Sequence, residues 1–335
     1  MKVLISDYRN VLLKNASYEK EIIEAAHPDW QVELYEYKND SELTERLQGC
    51  DALLTAFLDI GDSILKACPA LKCISVNATG YNSIDVGAAS NAGVAVAAID
   101  EYCTDEVAEH TITLMMALAR GIKHYIKDVD ENKNWSYYSG PVLRRIKGLR
   151  LGIFGFGRIG RKVAVIAKAL GMEVLAYDKY INVSDLDKDV KAADPETIYE
   201  SCDVITNHMA QTEENRYFFD WSAFCQMKKK PFFINAGRGK AVCEADLVRA
   251  LDEGIISGAG LDVLESDEPD LTSSQLTGRE NVIITPHAAF YSKESIDDLR
   301  RISSENIISF LDGKYDNVNK FINRDELKGG RESDK

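Results

Sequence analysis

The chain has 335 residues, 45% of them hydrophobic and 28% charged, the composition of an ordinary globular protein with enough length for two cores. Its formal net charge is −14, which argues against a nucleic-acid surface, since that needs clustered Lys and Arg. No stretch approaches the 18 or so apolar residues of a membrane span, and Met1–Ile5 meets Asp7 and Arg9 too soon for a secretory leader, so a cytoplasmic location is expected.

Residues 1 to about 100 alternate short apolar runs with amphipathic stretches. Strands are predicted at Val3–Ser6, Val32–Tyr37, Ala52–Thr55, Leu71–Val76 and Val94–Ala97. Helices are predicted at Tyr18–Ala26, Ser41–Gln48 and Ser63–Cys68, with Ser41 as an N-cap. This alternation reads as a parallel sheet covered by helices. A long helix follows from Thr104 to about Lys127, capped by Thr104, with Asp105 and Glu106 at its positive end. It is apolar nearly all round, which predicts burial between layers or between subunits, and Gly121 interrupts it.

The second series begins near residue 150. Strands are predicted at Leu151–Phe154, Glu173–Tyr177, Asp203–Thr206, Phe232–Asn235, Gly258–Asp262 and Val282–Thr285, six in all, and a last helix from Lys293 to about Leu311. The tail 325–335 is charged and reads as disordered. Seven cysteines are scattered with no Cys-x-x-Cys pair, so they are read as reduced thiols, with neither a disulfide framework nor a metal site. Cys103 alone stands near a helix start, and core packing is the favoured reading for it.

The glycine loop is the most informative motif. Gly155-x-Gly157-x-x-Gly160 follows an apolar strand and opens a helix, the context a dinucleotide fingerprint requires. The first glycine permits the tight turn, the second lets backbone approach a pyrophosphate, and the third lets helix pack on strand. The helix N-terminus offers free N–H groups to phosphate. The next strand ends on Asp178, where a carboxylate can bond ribose hydroxyls.

Three further elements follow strand ends. Arg238 stands among small residues in Asn235-Ala236-Gly237-Arg238-Gly239, so its planar fork can project toward a carboxylate. Gly260 to Pro269 carries four carboxylates, Asp262, Glu265, Asp267 and Glu268. Thr285-Pro286-His287 places a histidine downstream of that acidic loop.

Taken in order, NATGYNSID (77–85), DEVAEHTITLMMALAR (105–120), GLRLGIFGFGRIG (148–160), INAGRGKAV (234–242), GAGLDVLE (258–265) and NVIITPHAAFYS (281–292) resemble the D-isomer-specific 2-hydroxyacid dehydrogenases. The wording is closest to the branch that contains the C-terminal-binding proteins. The resemblance implies an α/β protein of two doubly wound parallel-sheet domains, a Rossmann-type NAD domain and a flavodoxin-like substrate domain, with an interdomain cleft. Residues 1–100 and 288–324 would form the substrate domain, and 101–287 the NAD domain. The implied activity is NAD-dependent interconversion of a 2-oxo acid and a D-2-hydroxy acid. The alternative is a nucleotide-sensing scaffold of the corepressor kind, against which the chain shows no basic or long disordered interaction segment.

The resemblance also implies roles. Arg238 would hold the substrate carboxylate and carbonyl, and His287 would be the general acid/base. Its acidic partner would be Asp267 by spacing from Asp262, or Glu268 by its Pro269 neighbour; spacing favours Asp267. Arg158 and Ile159 would lie at the pyrophosphate, His208 in the adjoining loop, and Ala236 and Asp262 near the nicotinamide. Met209-Ala210-Gln211-Thr212 departs from the usual Pro-Leu-Thr wording after that histidine. Asn77, Ala78, Thr79 and Gly80 would bring backbone N–H groups to the substrate carboxylate. A homodimer through the NAD domains is implied, and no metal.

Overall fold

The structure, a computed structural model, describes residues 1–9, 17–181, 186, 189–266 and 269–327. Asp267, Glu268 and residues 328–335 of the tail lie outside the described residues. The chain divides into two compact units, one of Met1–Tyr102 with Ser292–Lys335 and one of Cys103–Tyr291.

In the first unit, parallel strands β1 (Lys2–Asp7), β2 (Gln31–Glu36), β3 (Ala52–Thr55), β4 (Cys73–Val76) and β5 (Ala95–Ala98) lie in the order β5-β4-β3-β1-β2. A short strand, Lys320–Phe321, adds antiparallel beside β5. Strands β3, β4 and β5 are buried at every position, as expected for a parallel sheet covered on both faces. Helix Lys293–Leu311 closes one face, packing on β3, β4 and the helix Ser17–Ala26. A buried ion pair, Arg300 Nη2 to Glu19 Oε2 at 2.5 Å, joins those two helices. The second helix of this unit begins at Asp40, and its cap is Asn39, whose side chain accepts from the Glu42 N–H. Ser41 therefore sits inside the first turn: the run Asn-Asp-Ser-Glu offers several capping residues, and the earliest is used. Residues 324–327 make a helical turn, the Leu327 N–H bonding the Asn323 carbonyl, so this start of the charged tail is ordered. Leu327 packs on the apolar core of the unit, which pulls the turn down.

In the second unit, all seven strands are parallel: β6 (Arg150–Phe154), β7 (Glu173–Tyr177), β8 (Val190–Ala192), β9 (Val204–Asn207), β10 (Phe232–Asn235), β11 (Gly258–Leu261) and β12 (Val282–Ile284). Their order is β12-β11-β10-β9-β6-β7-β8, which reverses direction between β6 and β9. That reversal is the switch point at which doubly wound sheets bind dinucleotides. The seventh strand, β8, escapes the periodicity because it is a three-residue edge with two exposed positions.

Phe154, Phe219, Phe224 and Phe233 form an aromatic core under this sheet, with Phe154–Phe219 and Phe219–Phe233 centroids 5.0 and 4.9 Å apart. Each such ring contributes roughly 1.5–3 kcal/mol by burial. The long helix ends at Ala119; Gly121 adopts φ +61° and a second helix runs Ile122–Asp130. Cys103, not Thr104, occupies the N-cap position, and its side chain makes no capping bond. Thr104–Ala119 is buried by β10, β11 and the helix Arg158–Ala169. Its apolar girth is thus largely satisfied within one chain, leaving Asp105, Glu109 and Thr113 as the exposed stripe. Among the described residues, no helix is long and apolar enough to cross a membrane.

Candidate active site

The registers of the second unit bring five loops out along one edge. Phe154 pairs with Asn207, Asn207 with Asn235, Asn235 with Leu261, and Leu261 with Ile284. The residues that follow, Gly155, His208, Ala236, Asp262 and Thr285, therefore leave the C-terminal edge in a row. Chemistry-bearing loops belong at this edge in an open α/β sheet.

At one end of the row the glycine loop is packed against backbone. Gly155 has φ +87°, and a Cβ there would lie 2.6 Å from the His208 carbonyl carbon. A Cβ on Gly160 would overlap the Gly155 carbonyl oxygen, so helix and loop touch as the third glycine requires. Gly157 differs: a Cβ there would meet nothing within 4 Å. It is the N-cap of Arg158–Ala169 and supplies no capping side chain. Open space before an uncapped helix start is the cradle a diphosphate needs.

Asp178 ends β7 beside this loop. Its Oδ2 accepts from the Phe156 N–H at 2.8 Å and its Oδ1 from the Tyr180 N–H at 2.8 Å, which fixes the carboxylate at the loop's flank. The neighbouring Lys179 pairs with Glu214.

His208 contributes two ring nitrogens that are buried and lack a hydrogen-bond partner among the described residues. Burial pushes its imidazole down to about 4, so it is neutral near neutral pH. Neutral, unpartnered nitrogens at the switch point fit a polar ligand that supplies the missing bonds.

Arg238 is held from below by two buried asparagines that the sequence pattern did not single out. Asn235 Nδ2 donates to the Arg238 carbonyl at 3.1 Å. Asn235 Oδ1 accepts from Asn207 Nδ2 at 3.0 Å and from the Gly237 N–H at 3.2 Å. Their signal was polarity at the last position of otherwise apolar strands. Gly237 lies against Asn207, where a Cβ would be 3.0 Å from its carbonyl oxygen. The guanidinium itself is exposed and bonds the Gly237 carbonyl through Nη1 at 2.9 Å, leaving donors for a carboxylate.

His287 is exposed and has φ +51°. Its N–H donates to the Asp262 carbonyl at 2.8 Å, and its ring meets Phe290 edge-on at 6.3 Å. Asp262 is 2% exposed, and its carboxylate accepts from Thr285 Oγ1, Ala288 N–H and Ala289 N–H. It is the anchor of the His287 turn. Ala236, Val107 and Ala289 form a small apolar cluster bordered by Cys103, Ile159 and Phe290, which agrees with core packing for Cys103. Of the carboxylates after Asp262, Glu265 is tied to Tyr217 and to the Glu244 N–H.

In the first unit, Asn77–Gly80 follow β4. The Asn77 N–H bonds the Thr55 carbonyl at 2.8 Å, and Asn77 Oδ1 is buried without a partner among the described residues. Thr79 offers its carbonyl to Lys320, and Gly80 is exposed.

Residues 112–289, more than half of the chain, match the D-isomer-specific 2-hydroxyacid dehydrogenase, NAD-binding domain family. A glycerate dehydrogenase of Methylorubrum extorquens is 35% identical over 92% of this chain and 98% of its own length. A hydroxypyruvate reductase of Blautia hydrogenotrophica is 34% identical over 83% of this chain and 87% of its own. Among solved structures, the D-lactate dehydrogenase of Aquifex aeolicus complexed with NAD and lactic acid is 26% identical, with TM-score 0.82 over 96% of this chain and 98% of that one. The two parallel sheets, the glycine cradle at the switch point and these similarities together place the chain in the D-isomer-specific 2-hydroxyacid dehydrogenase family, as an NAD-dependent oxidoreductase that interconverts 2-oxo and 2-hydroxy acids.

Proposed function

We propose that Arg238 and His287 carry the reaction and that its substrates are short 2-oxo acids of the glyoxylate and hydroxypyruvate class, with the D-2-hydroxy acid as product. The Arg238 fork binds the carboxylate and orients the carbonyl. The carbonyl oxygen takes its proton from the His287 imidazole in reduction and returns it in oxidation. Asp267, or Glu268 in its place, would be the acidic partner of that imidazole. Ala78, Thr79 and Gly80 would offer backbone N–H groups to the substrate carboxylate, while the Asn77 N–H, taken by the Thr55 carbonyl, would hold the start of that loop.

NAD when bound supplies and accepts the hydride. Gly155, Gly157, Arg158, Ile159 and Gly160 would cradle its diphosphate, Asp178 its adenosine ribose, and His208, Ala236 and Asp262 would border the nicotinamide end. Asp262 would act there chiefly through the turn it anchors, because its oxygens are already engaged.

The observation that carries this reading is the single row of loops at the β6/β9 switch point, with an exposed Arg238 and an exposed His287 on it. The substrate class rests on relatives named as glycerate dehydrogenase, hydroxypyruvate reductase and glyoxylate reductase. The test is loss of NADH absorbance with glyoxylate, hydroxypyruvate and pyruvate. Saturable turnover with the shorter acids supports the proposal; tight NADH binding with no turnover of any of them overturns it.

We also propose a homodimer working in a reducing compartment such as the cytoplasm. Support for the dimer comes from the segment after the long helix: Trp135 is 91% and Val142 98% exposed, and Tyr137, Tyr138 and Ile126 are exposed beside them in sequence. Support for the compartment comes from seven free cysteines.

A further inference from the structure

We infer that His110 and Thr285 are positioning residues for His287: through the buried carboxylate of Asp262 they set the turn from which the imidazole emerges. This rests on the proposed role of His287 as the proton carrier.

His287 adopts φ +51°, a left-handed conformation that strains a non-glycine residue and persists only where the surroundings over-determine it. The surroundings here are chiefly Asp262, with the Thr285 carbonyl also accepting from the His287 N–H at 3.0 Å. Three successive N–H groups converge on Asp262: His287 on its carbonyl at 2.8 Å, Ala288 on Oδ1 at 2.9 Å and Ala289 on Oδ2 at 3.0 Å. The His287 ring has little other support, since it is exposed and meets only the edge of Phe290 among the ring contacts described. Its aim is therefore a property of the backbone, and the backbone follows the Asp262 carboxylate.

The carboxylate is held in turn. Thr285 Oγ1 lies 2.6 Å from Asp262 Oδ1, and an ionised carboxylate only accepts, so the hydroxyl donates. Thr285 Oγ1 also lies 2.9 Å from His110 Nε2, and with its proton spent on Asp262 it accepts there. His110 accordingly carries its proton on Nε2. It stands on Thr104–Ala119, the helix buried against β10 and β11. A rigid core helix thus reaches His287 through an unbroken chain, His110 to Thr285 to Asp262 to the turn 287–289. Second-layer bonds of this kind fix a reacting group's orientation without touching substrate.

The test uses the full-length enzyme with NADH and glyoxylate, measuring kcat, NADH dissociation constant and thermal unfolding. Thr285→Val and His110→Leu should each lower kcat about 10- to 100-fold, with NADH affinity within about threefold of the parent. Thr285→Ser and His110→Gln, which retain a hydroxyl and a donor, should recover most of the loss. The double variant Thr285→Val/His110→Leu should lose less than the product of the two single losses, because both residues act through the one Asp262 carboxylate, Thr285 by its hydroxyl and His110 through Thr285 and from 3.5 Å directly. Parent-like kcat in both apolar variants overturns the inference; so does a loss shared equally by kcat, NADH affinity and unfolding temperature, or no recovery in the conservative pair. His287→Ala separates the layers. If it retains turnover, the underlying role of His287 fails. If it abolishes turnover while Thr285→Val and His110→Leu do not slow the enzyme, this inference alone fails.

Discussion

Gly239 and Leu264 are in such close apposition that a Cβ on Gly239 would fall on the Leu264 carbonyl oxygen. The turn that projects Arg238 therefore rests on the backbone of the acidic loop, just past the end of β11. The clash is with backbone, which cannot rotate away. Gly239→Ala is expected to cost at least about 2 kcal/mol of stability and to depress activity with it. Denaturant unfolding of the variant checks this; parent-like stability would show that the turn can move.

Arg238→Lys keeps the charge and loses the planar fork. The expected loss in kcat/KM for glyoxylate reduction is well over about 100-fold, or about 2.7 kcal/mol of transition-state stabilisation. Steady-state kinetics decide it, and a near-normal lysine enzyme removes Arg238 from the site.

NADH should be preferred over NADPH by more than about tenfold in kcat/KM, because the Asp178 carboxylate repels a 2′-phosphate. Lys179 is the cation next to it in sequence, and its pairing with Glu214 draws it to another carboxylate. Glu214→Gln should narrow the preference by freeing Lys179. Equal kcat/KM for the two cofactors in the parent contradicts the role given to Asp178.

His208 predicts a pH dependence of stability. Its imidazole is pushed by burial from 6.5 to about 4 in the folded chain. Between those values the unfolded chain binds the extra proton, so folding is favoured above about 6.5 and loses stability as pH falls toward 4. The group accounts for up to about 3 kcal/mol of that loss. Urea unfolding at pH 7 and pH 4.5 should therefore show a shallower acid loss in His208→Asn than in the parent; identical losses would mean that this imidazole is solvated.

Much of the fold is legible in the sequence. Glu173–Tyr177 and Phe232–Asn235 match their strands to the residue, because parallel strands buried on both faces are continuous apolar runs. Lys293–Leu311 is bounded by a capping box at Ser292 and Ser295, and its period shows the helix. Val190–Ala192 is not legible, since three residues at an edge carry too little pattern. The glycine cradle, Arg238 and His287 stand out because each breaks the pattern at a strand end. His110, Thr285, Asn207 and Asn235 do not, because their role comes from contacts between elements far apart in sequence. The apolar girth of Thr104–Ala119 argues less for a subunit contact than the sequence implies, as this chain covers most of it. The proposed dimer rests instead on the exposed Trp135 and its neighbours. Trp135→Asp combined with Tyr138→Asp should convert a species of twice the chain mass into one of the chain mass in light scattering; a monomeric parent at micromolar concentration refutes the dimer.

The central claim, that His287 moves the proton, is tested most directly by the pH dependence of kcat/KM for glyoxylate reduction in the parent, Asp267→Asn and Glu268→Gln. The rate should fall at high pH as the imidazole loses its proton, and removal of the paired carboxylate should move that fall to lower pH. The account predicts a downward move in Asp267→Asn and none in Glu268→Gln. A shift in Glu268→Gln alone would transfer the partner role by one residue. A parent profile without a high-pH fall, or one unchanged in both variants, would contradict the assignment of a carboxylate-paired His287 as the proton donor.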